Sequence, residues 1–155
     1  MPEQEVWQKQ DDALLLDNQL CFPLYACARE IIKLYRPYLD EIGLTYTQYI
    51  TMMVLWEEQT VSSRALGRRL FLDSGTLTPV LKKLESMGYV NRVRDERDER
   101  NLNVSVTEAG RALKASAAQI PAKMAACIPM DSQDALQLYQ LLRKLLNTVK
   151  KPDTV

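Results

Sequence analysis

A mainly α-helical fold carrying one small β-hairpin wing is predicted by three features between Ser62 and Val106. The first is a short amphipathic run, Ser62 to Leu70, in which Ala65, Leu66 and Leu70 fall on one side at helical spacing. The second is a longer helix. Asp73 stands as its N-cap, Leu77, Leu81 and Leu84 form its apolar face, and Gly88 is its stop. The third is a pair of short runs rich in β-branched residues, Tyr89 to Arg94 and Leu102 to Val106, separated by the charged stretch Asp95 to Asn101. Helix, turn, helix and hairpin in that order make a winged helix-turn-helix, framed here by N- and C-terminal helices suited to dimerisation. The second helix of such a module enters a DNA major groove.

Burying the three leucines of the second helix leaves Ser74, Thr76, Thr78, Lys82 and Lys83 on its outer side, where hydroxyl and ammonium groups can reach bases and phosphates. A solvated surface helix would carry the same residue types, so the hairpin matters. Its tip sets Arg97 and Arg100 among Asp95, Glu96, Asp98 and Glu99. Arginine on a narrow loop suits a minor groove, and neighbouring carboxylates can hold its guanidinium in one direction.

Along the rest of the chain, Met1 to Ala13 is polar, with Trp7 its one large anchor, and is expected to be loose or to drape over a partner. Asp17 or Asn18 is expected to cap a long helix running to about Asp40, with Leu20, Leu24, Ile31, Leu34 and Tyr38 at core-like spacing. Pro23 lies early enough in it to cost only a local bend. Thr45 to Gln48 has the form of a capping box, and a strongly apolar helix follows through Met52, Met53, Leu55 and Trp56. Thr107 is expected to cap a helix through Ala126, and Asp131 another from Ser132 to about Val149. Leu136, Leu138, Leu141, Leu142, Leu145 and Leu146 make that last helix apolar over more of its circumference than one packing partner needs, so a second subunit is expected to cover it. The organisation is therefore read as a sensing and dimerisation arm over 1–45, a DNA-binding module over 46–106 and C-terminal dimerisation helices over 107–155.

Bulk properties narrow the function. The 155 residues carry 20 Lys and Arg against 20 Asp and Glu, a neutral balance unusual for a DNA binder. Locally the picture differs: from Ser62 to Arg100 nine basic residues face six acidic ones, so positive charge gathers where the groove-reading elements lie. With no histidine and three cysteines lacking a CxxC pair, most zinc sites and every histidine-dependent triad are excluded, and neither enzyme activity, metal nor cofactor is expected. The absence of a signal peptide or membrane-length apolar run points to the cytoplasm, where thiols rest reduced.

Several blocks together resemble a known family. The two leading helices, the Asp-x-Arg-Asp-x-Arg wing of Asp95, Arg97, Asp98 and Arg100, the run Val106-Thr-Glu-Ala-Gly110 and two closing helices look like the MarR family of dimeric transcription regulators over nearly the whole chain. More narrowly, Leu16-Asp-Asn-Gln-Leu-Cys-Phe22, Leu44-Thr-Tyr-Thr-Gln-Tyr49 and Leu72-Asp-Ser-Gly-Thr-Leu-Thr-Pro79 resemble its organic-hydroperoxide-sensing OhrR branch.

That resemblance implies a reactive cysteine at Cys21 and two tyrosines, Tyr35 and Tyr46, that hydrogen-bond its sulfur. The chemistry of the residues agrees. Cys21 falls near the start of a helix, where free N–H groups and the helix dipole favour an anionic sulfur. Fourteen residues separate Cys21 from Tyr35, roughly 21 Å along an unbroken helix, so the tyrosines would have to come from a partner subunit. Cys27 is read as packing. Cys127 is the resolving cysteine implied by the two-cysteine form of the branch, acting from the partner subunit, while the one-cysteine form uses an external thiol. Phe22, Met52 and Trp56 are the apolar residues expected to line the pocket. The resulting expectation is a homodimeric repressor of double-stranded operator DNA, released when an organic hydroperoxide oxidises Cys21. The alternative is a repressor of the same family released by a phenolic or drug-like ligand.

Overall fold

The computed structural model describes residues 12–96 and 102–149, which fall into two compact units divided between Ile120 and Pro121. The expectations for Met1 to Asp11, for the tail from Lys150 and for Arg97 and Arg100 of the wing lie outside the described residues.

In the first unit two 3-10 turns, Asp12–Leu14 and Leu16–Asn18, precede α1 (Cys21–Glu41), α2 (Tyr46–Glu58), β1 (Thr60–Ser62), α3 (Ser63–Leu70), α4 (Ser74–Ser86), β2 (Val90–Arg94), β3 (Leu102–Val106) and α5 (Glu108–Ala117). The expected capping by Asp17 or Asn18 is not what the chain does. Asn18 Nδ2 donates to Asp12 O at 2.8 Å, and Gln19 Nε2 donates to Ala13 O, so these side chains close the 3-10 turns instead. α1 therefore begins at Cys21, after Leu20, without a side-chain cap. Pro23 occupies its third position, where the missing N–H would have been unpaired in any case.

α2 opens on the reciprocal pair foreseen for it: Gln48 N–H donates to Thr45 Oγ1 at 3.3 Å, and Thr45 N–H donates to Gln48 Oε1 at 2.9 Å. It is the central helix of the core. Met52 and Leu55 are wholly buried, whereas Met53, expected inside, is exposed because it falls on the opposite face. Leu66 of α3 and Leu77, Leu81 and Leu84 of α4 meet α2 and the inner face of the sheet, where Val61, Val90, Val104 and Val106 are buried. Each such aliphatic side chain contributes about 1.5–3 kcal/mol on burial, so this cluster holds the module together.

The sheet is antiparallel with strand order β1-β3-β2. Val61 pairs with Val104, and Val90 with Val106. β1 has only three residues and extends the hairpin into a three-stranded wing base. The joint between α3 and α4 is tight because Gly67 has no side chain: a Cβ there would stand 2.8 Å from Leu72 O and 3.7 Å from Leu77 Cδ2. Leu72 N–H in turn donates to Gly67 O at 2.9 Å.

Little of α1 is covered by its own unit. Of the residues spaced as a core stripe, Leu20, Ile31 and Leu34 are exposed, Leu24 and Tyr38 are half-buried, and Leu39 alone on this helix is fully buried. Cys27, expected to pack, is exposed too. The single helix expected from Thr107 to Ala126 is two helices, α5 and α6 (Ile120–Cys127). Pro121 supplies the reason, since it lacks the N–H that would continue the ladder to Ala117. Thr107 caps α5 as expected, accepting from Gly110 N–H at 3.0 Å.

In the second unit α6 ends at Cys127 itself rather than before it, and α7 spans Ser132–Val149. Asp131 Oδ1 accepts from Gln133 N–H at 2.8 Å and Asp134 N–H at 2.9 Å, the cap foreseen for this helix. Along α7, Leu136, Leu138, Tyr139, Leu141, Leu145 and Leu146 are exposed. No described helix is long and apolar enough to cross a membrane.

Candidate functional site

Cys21 is the first residue of α1 and is exposed. Because the helix start has no side-chain cap, the N–H groups of its first turn are left to whatever acceptor approaches them. Phe22, the next residue of the helix, is an apolar side chain 40% exposed.

Tyr35 and Tyr46, predicted to act together, are brought together. Their ring centroids lie 5.0 Å apart where the later part of α1 meets the start of α2. Tyr49, one turn further along α2, joins them with its ring 6.0 Å from that of Tyr35. It was missed in the sequence although its i+3 spacing from Tyr46 was legible. Burial pushes all three phenols above their ordinary range, and the neighbouring tyrosines add to the effect at Tyr35. The hydroxyls are therefore neutral donors throughout the physiological range. α1 runs unbroken from Cys21 to Tyr35. Within one chain the Cα atoms of Cys21 and Tyr35 are thus roughly 21 Å apart along the helix axis.

Of the other residues assigned to the pocket, Met52 is fully buried in the winged-helix core. Trp56 is nearly so, with its ring 6.4 Å from Tyr49 and its Nε1–H donating to Gly110 O at 2.7 Å. Cys127 is an exposed thiol of the second unit.

The DNA-reading candidates of α4 all stand outside. Ser74, Thr76, Thr78, Lys82 and Lys83 are exposed, opposite the buried leucines. Asp73 caps the helix by accepting from Thr76 N–H at 2.8 Å, while the Thr76 hydroxyl donates to its other oxygen at 3.1 Å. These bonds hold the Asp73 carboxyl below its usual range. They also commit the Thr76 hydroxyl proton, so Thr76 faces a ligand as an acceptor. A further contact not anticipated from the sequence ties α4 to the wing: Arg92 Nε and Nη2 both donate to Glu85 Oε2, at 2.9 and 2.6 Å. At the wing's outer end Asn103 Nδ2 donates to Asp95 Oδ2 at 3.2 Å. Among the described residues no cluster of three His, Cys, Asp or Glu could hold a metal ion.

A helix-turn-helix with a clear outer face, braced to a three-stranded wing, defines a winged-helix regulator. Comparison with known proteins gives the family. The sequence family described as transcriptional regulator SarA/Rot matches residues 33–116. The organic hydroperoxide resistance transcriptional regulator of Bacillus subtilis (strain 168) is 44% identical over 138 residues, 89% of this chain and 94% of that one. The HTH-type transcriptional regulator SarZ of Staphylococcus aureus (strain USA300) is 46% identical over 132 residues, 85% of this chain and 89% of its own. Among solved structures, reduced AbfR bound to DNA, a protein of Staphylococcus epidermidis, superposes with a TM-score of 0.74 at 34% identity, covering 86% of this chain and 92% of that chain. The chain belongs to the MarR/SarA-type winged-helix transcription regulators, in the branch of the organic hydroperoxide regulator, and is not an enzyme.

Proposed function

We propose that the protein is a homodimeric repressor that holds an operator while Cys21 is reduced and releases it when an organic hydroperoxide oxidises that sulfur. The observation that carries this reading is the placement of an exposed, uncapped Cys21 at one end of α1 and the Tyr35–Tyr46 phenol pair at the other. One chain cannot close that gap, but two antiparallel copies of the helix can, each cysteine meeting the other subunit's phenols.

The Cys21 thiolate attacks the outer oxygen of the hydroperoxide. The O–O bond breaks, an S–O bond forms, and the departing alkoxide takes a proton to leave as an alcohol. The phenols donate to the sulfur and steady it. Phe22 favours an alkyl or aryl group over hydrogen peroxide, while Met52 and Trp56 support the site from inside α2. The thiolate of Cys127 of the partner subunit then attacks the sulfenic sulfur, forming a disulfide and expelling hydroxide, which leaves as water once protonated. Drawing these ends together changes the spacing of the two α4 helices in successive major grooves. Arg97 and Arg100 hold the flanking minor grooves.

The similarity to reduced AbfR bound to DNA supports the operator-binding half, and the relative named for organic hydroperoxide resistance supports the inducer. The deciding experiment is a gel shift with cumene hydroperoxide. Wild type should release its operator and recover with reductant, whereas Cys21→Ser should stay bound. Release of that variant would overturn the sensor assignment. Release by a phenolic acid, without any effect of peroxide, would replace it with a ligand-gated repressor.

A further inference from the structure

α3 contains three arginines, Arg64, Arg68 and Arg69, and no acidic residue. They are not equivalent. Arg69 points back to the end of α2, where the carboxylates of Glu57 and Glu58 both bind its guanidinium. Arg64 and Arg68 are exposed, and among the described residues neither makes an ion pair or a side-chain hydrogen bond. Their spacing of four puts them on one face, one turn apart.

That face has a definite place in the module. Gly67 is the point at which α3 touches the turn and α4, its absent Cβ lying against Leu72 O and Leu77 Cδ2. Arg64 is three residues before Gly67 and Arg68 one after it, so both rise along the edge of the α3–α4 contact. Leu66, the buried anchor, points the other way. The first helix of a helix-turn-helix crosses the DNA backbone while the second enters the groove. Two unpaired guanidiniums on that first helix, with the third already neutralised, match a phosphodiester chain in charge and in fork geometry.

We infer that Arg64 and Arg68 form a backbone-phosphate clamp that binds double-stranded DNA independently of sequence and seats α4 in its groove. The inference rests on the DNA-binding reading. It separates the work of the two helices: α4 reads bases, and α3 supplies charge.

The test is fluorescence anisotropy of the reduced full-length protein on a labelled mixed-sequence duplex across a sodium chloride series. Arg64→Ala and Arg68→Ala should each flatten the slope of log affinity against log salt by about 0.9, and the double variant by about 1.8. Arg69→Ala should leave the slope at the wild-type value, and Arg64→Lys with Arg68→Lys should retain it. The lysine pair and the single variants decide the matter even if the double variant melts. A wild-type slope in folded R64A and R68A overturns the clamp alone, because wild-type binding would still stand. Failure of wild type to bind any duplex overturns the clamp and the DNA-binding reading together.

Discussion

Tyr35 and Tyr46 stack at a tilt of 59° with centroids 5.0 Å apart, so the later part of α1 and the first residue of α2 form one aromatic corner. Tyr49 extends that corner inward to Trp56. Trp56 in turn bonds the first turn of α5 through Gly110 O. Tyr46 is thus carried by the central helix of the winged-helix module and Tyr35 packs on it from α1, and in the proposed sensor this corner is the physical route from the cysteine to the wing.

Because burial raises the Tyr35 and Tyr46 phenols above their usual value of 10.0, both remain protonated donors at neutral pH. Replacing both with Phe should slow oxidation of Cys21 by cumene hydroperoxide at least about tenfold, the worth of two hydrogen bonds of about 0.7 kcal/mol each. Operator binding by the reduced protein should be unchanged. Stopped-flow thiol trapping reads the first quantity and a gel shift the second. The same burial sets the direction of an alkaline effect. The folded state prefers the neutral phenols, so their contribution is whole below pH 10 and is lost as pH climbs through the raised values. The double Phe variant should show a shallower fall in melting temperature above that point.

Glu85 and Arg92 join α4 to β2 and so fix the recognition helix relative to the wing. The Arg92 hydrogen bonds hold the Glu85 carboxyl below its usual 4.5. A carboxyl lowered on folding stabilises above its unfolded value and loses that contribution as pH falls through the folded one. Glu85→Gln should therefore remove part of the acid destabilisation that sets in below about pH 4.5. It should also weaken operator binding without altering the salt slope, since neither residue is assigned to a phosphate. A slope that falls with Glu85→Gln would mean that the pair acts on DNA directly.

What could be read beforehand was local. The Thr45–Gln48 box, the Thr107 and Asp131 caps and the Leu77, Leu81, Leu84 stripe are fixed by spacing within one or two turns, and each is found. What escaped depends on distant partners. β1 is three residues whose strand character comes from pairing with β3 some forty positions later, a signal no short window contains. The start of α1 depends on Asn18 spending its side chain on Asp12 O. Ile31 and Leu34 carry a genuine apolar period, yet their own unit does not cover them, because periodicity shows that a face is apolar and not what lies against it. The tyrosine pair was legible only through family likeness. The chain folding back at Gly43 and Leu44, within the eleven positions that separate the two tyrosines, makes it a contact.

Thr107 makes two bonds with one hydroxyl, accepting from Gly110 N–H and donating to Gly88 O at 2.6 Å. It clips the start of α5 to the turn that ends α4. Thr107→Ala should cost about 1–2 kcal/mol, the upper part of the range for an N-cap. Thr107→Ser should cost less than half of that. Urea unfolding followed by circular dichroism measures both, and equal losses in the two variants would show that the methyl group rather than the hydroxyl matters.

Gly110 sits in the first turn of α5, where exchanging Gly for Ala would ordinarily add up to about 1 kcal/mol through helix propensity. Its surroundings reverse the sign. A Cβ there would overlap Tyr89 O and come within 2.8 Å of Val106 Cγ2. Val106 can rotate, but Tyr89 O is backbone and accepts from Thr107 N–H at 3.0 Å, so relieving the overlap strains the bond that positions the helix. Overpacking of this kind costs about 1–3 kcal/mol and outweighs the propensity gain. Gly110→Ala should therefore lower stability by about 1–2 kcal/mol in urea unfolding. Because Gly110 O is also the acceptor for Trp56 Nε1–H, Trp56 fluorescence, read in a Trp7→Phe background, should shift to longer wavelength. A more stable variant with unaltered emission would mean that α5 does not lie this close to Tyr89.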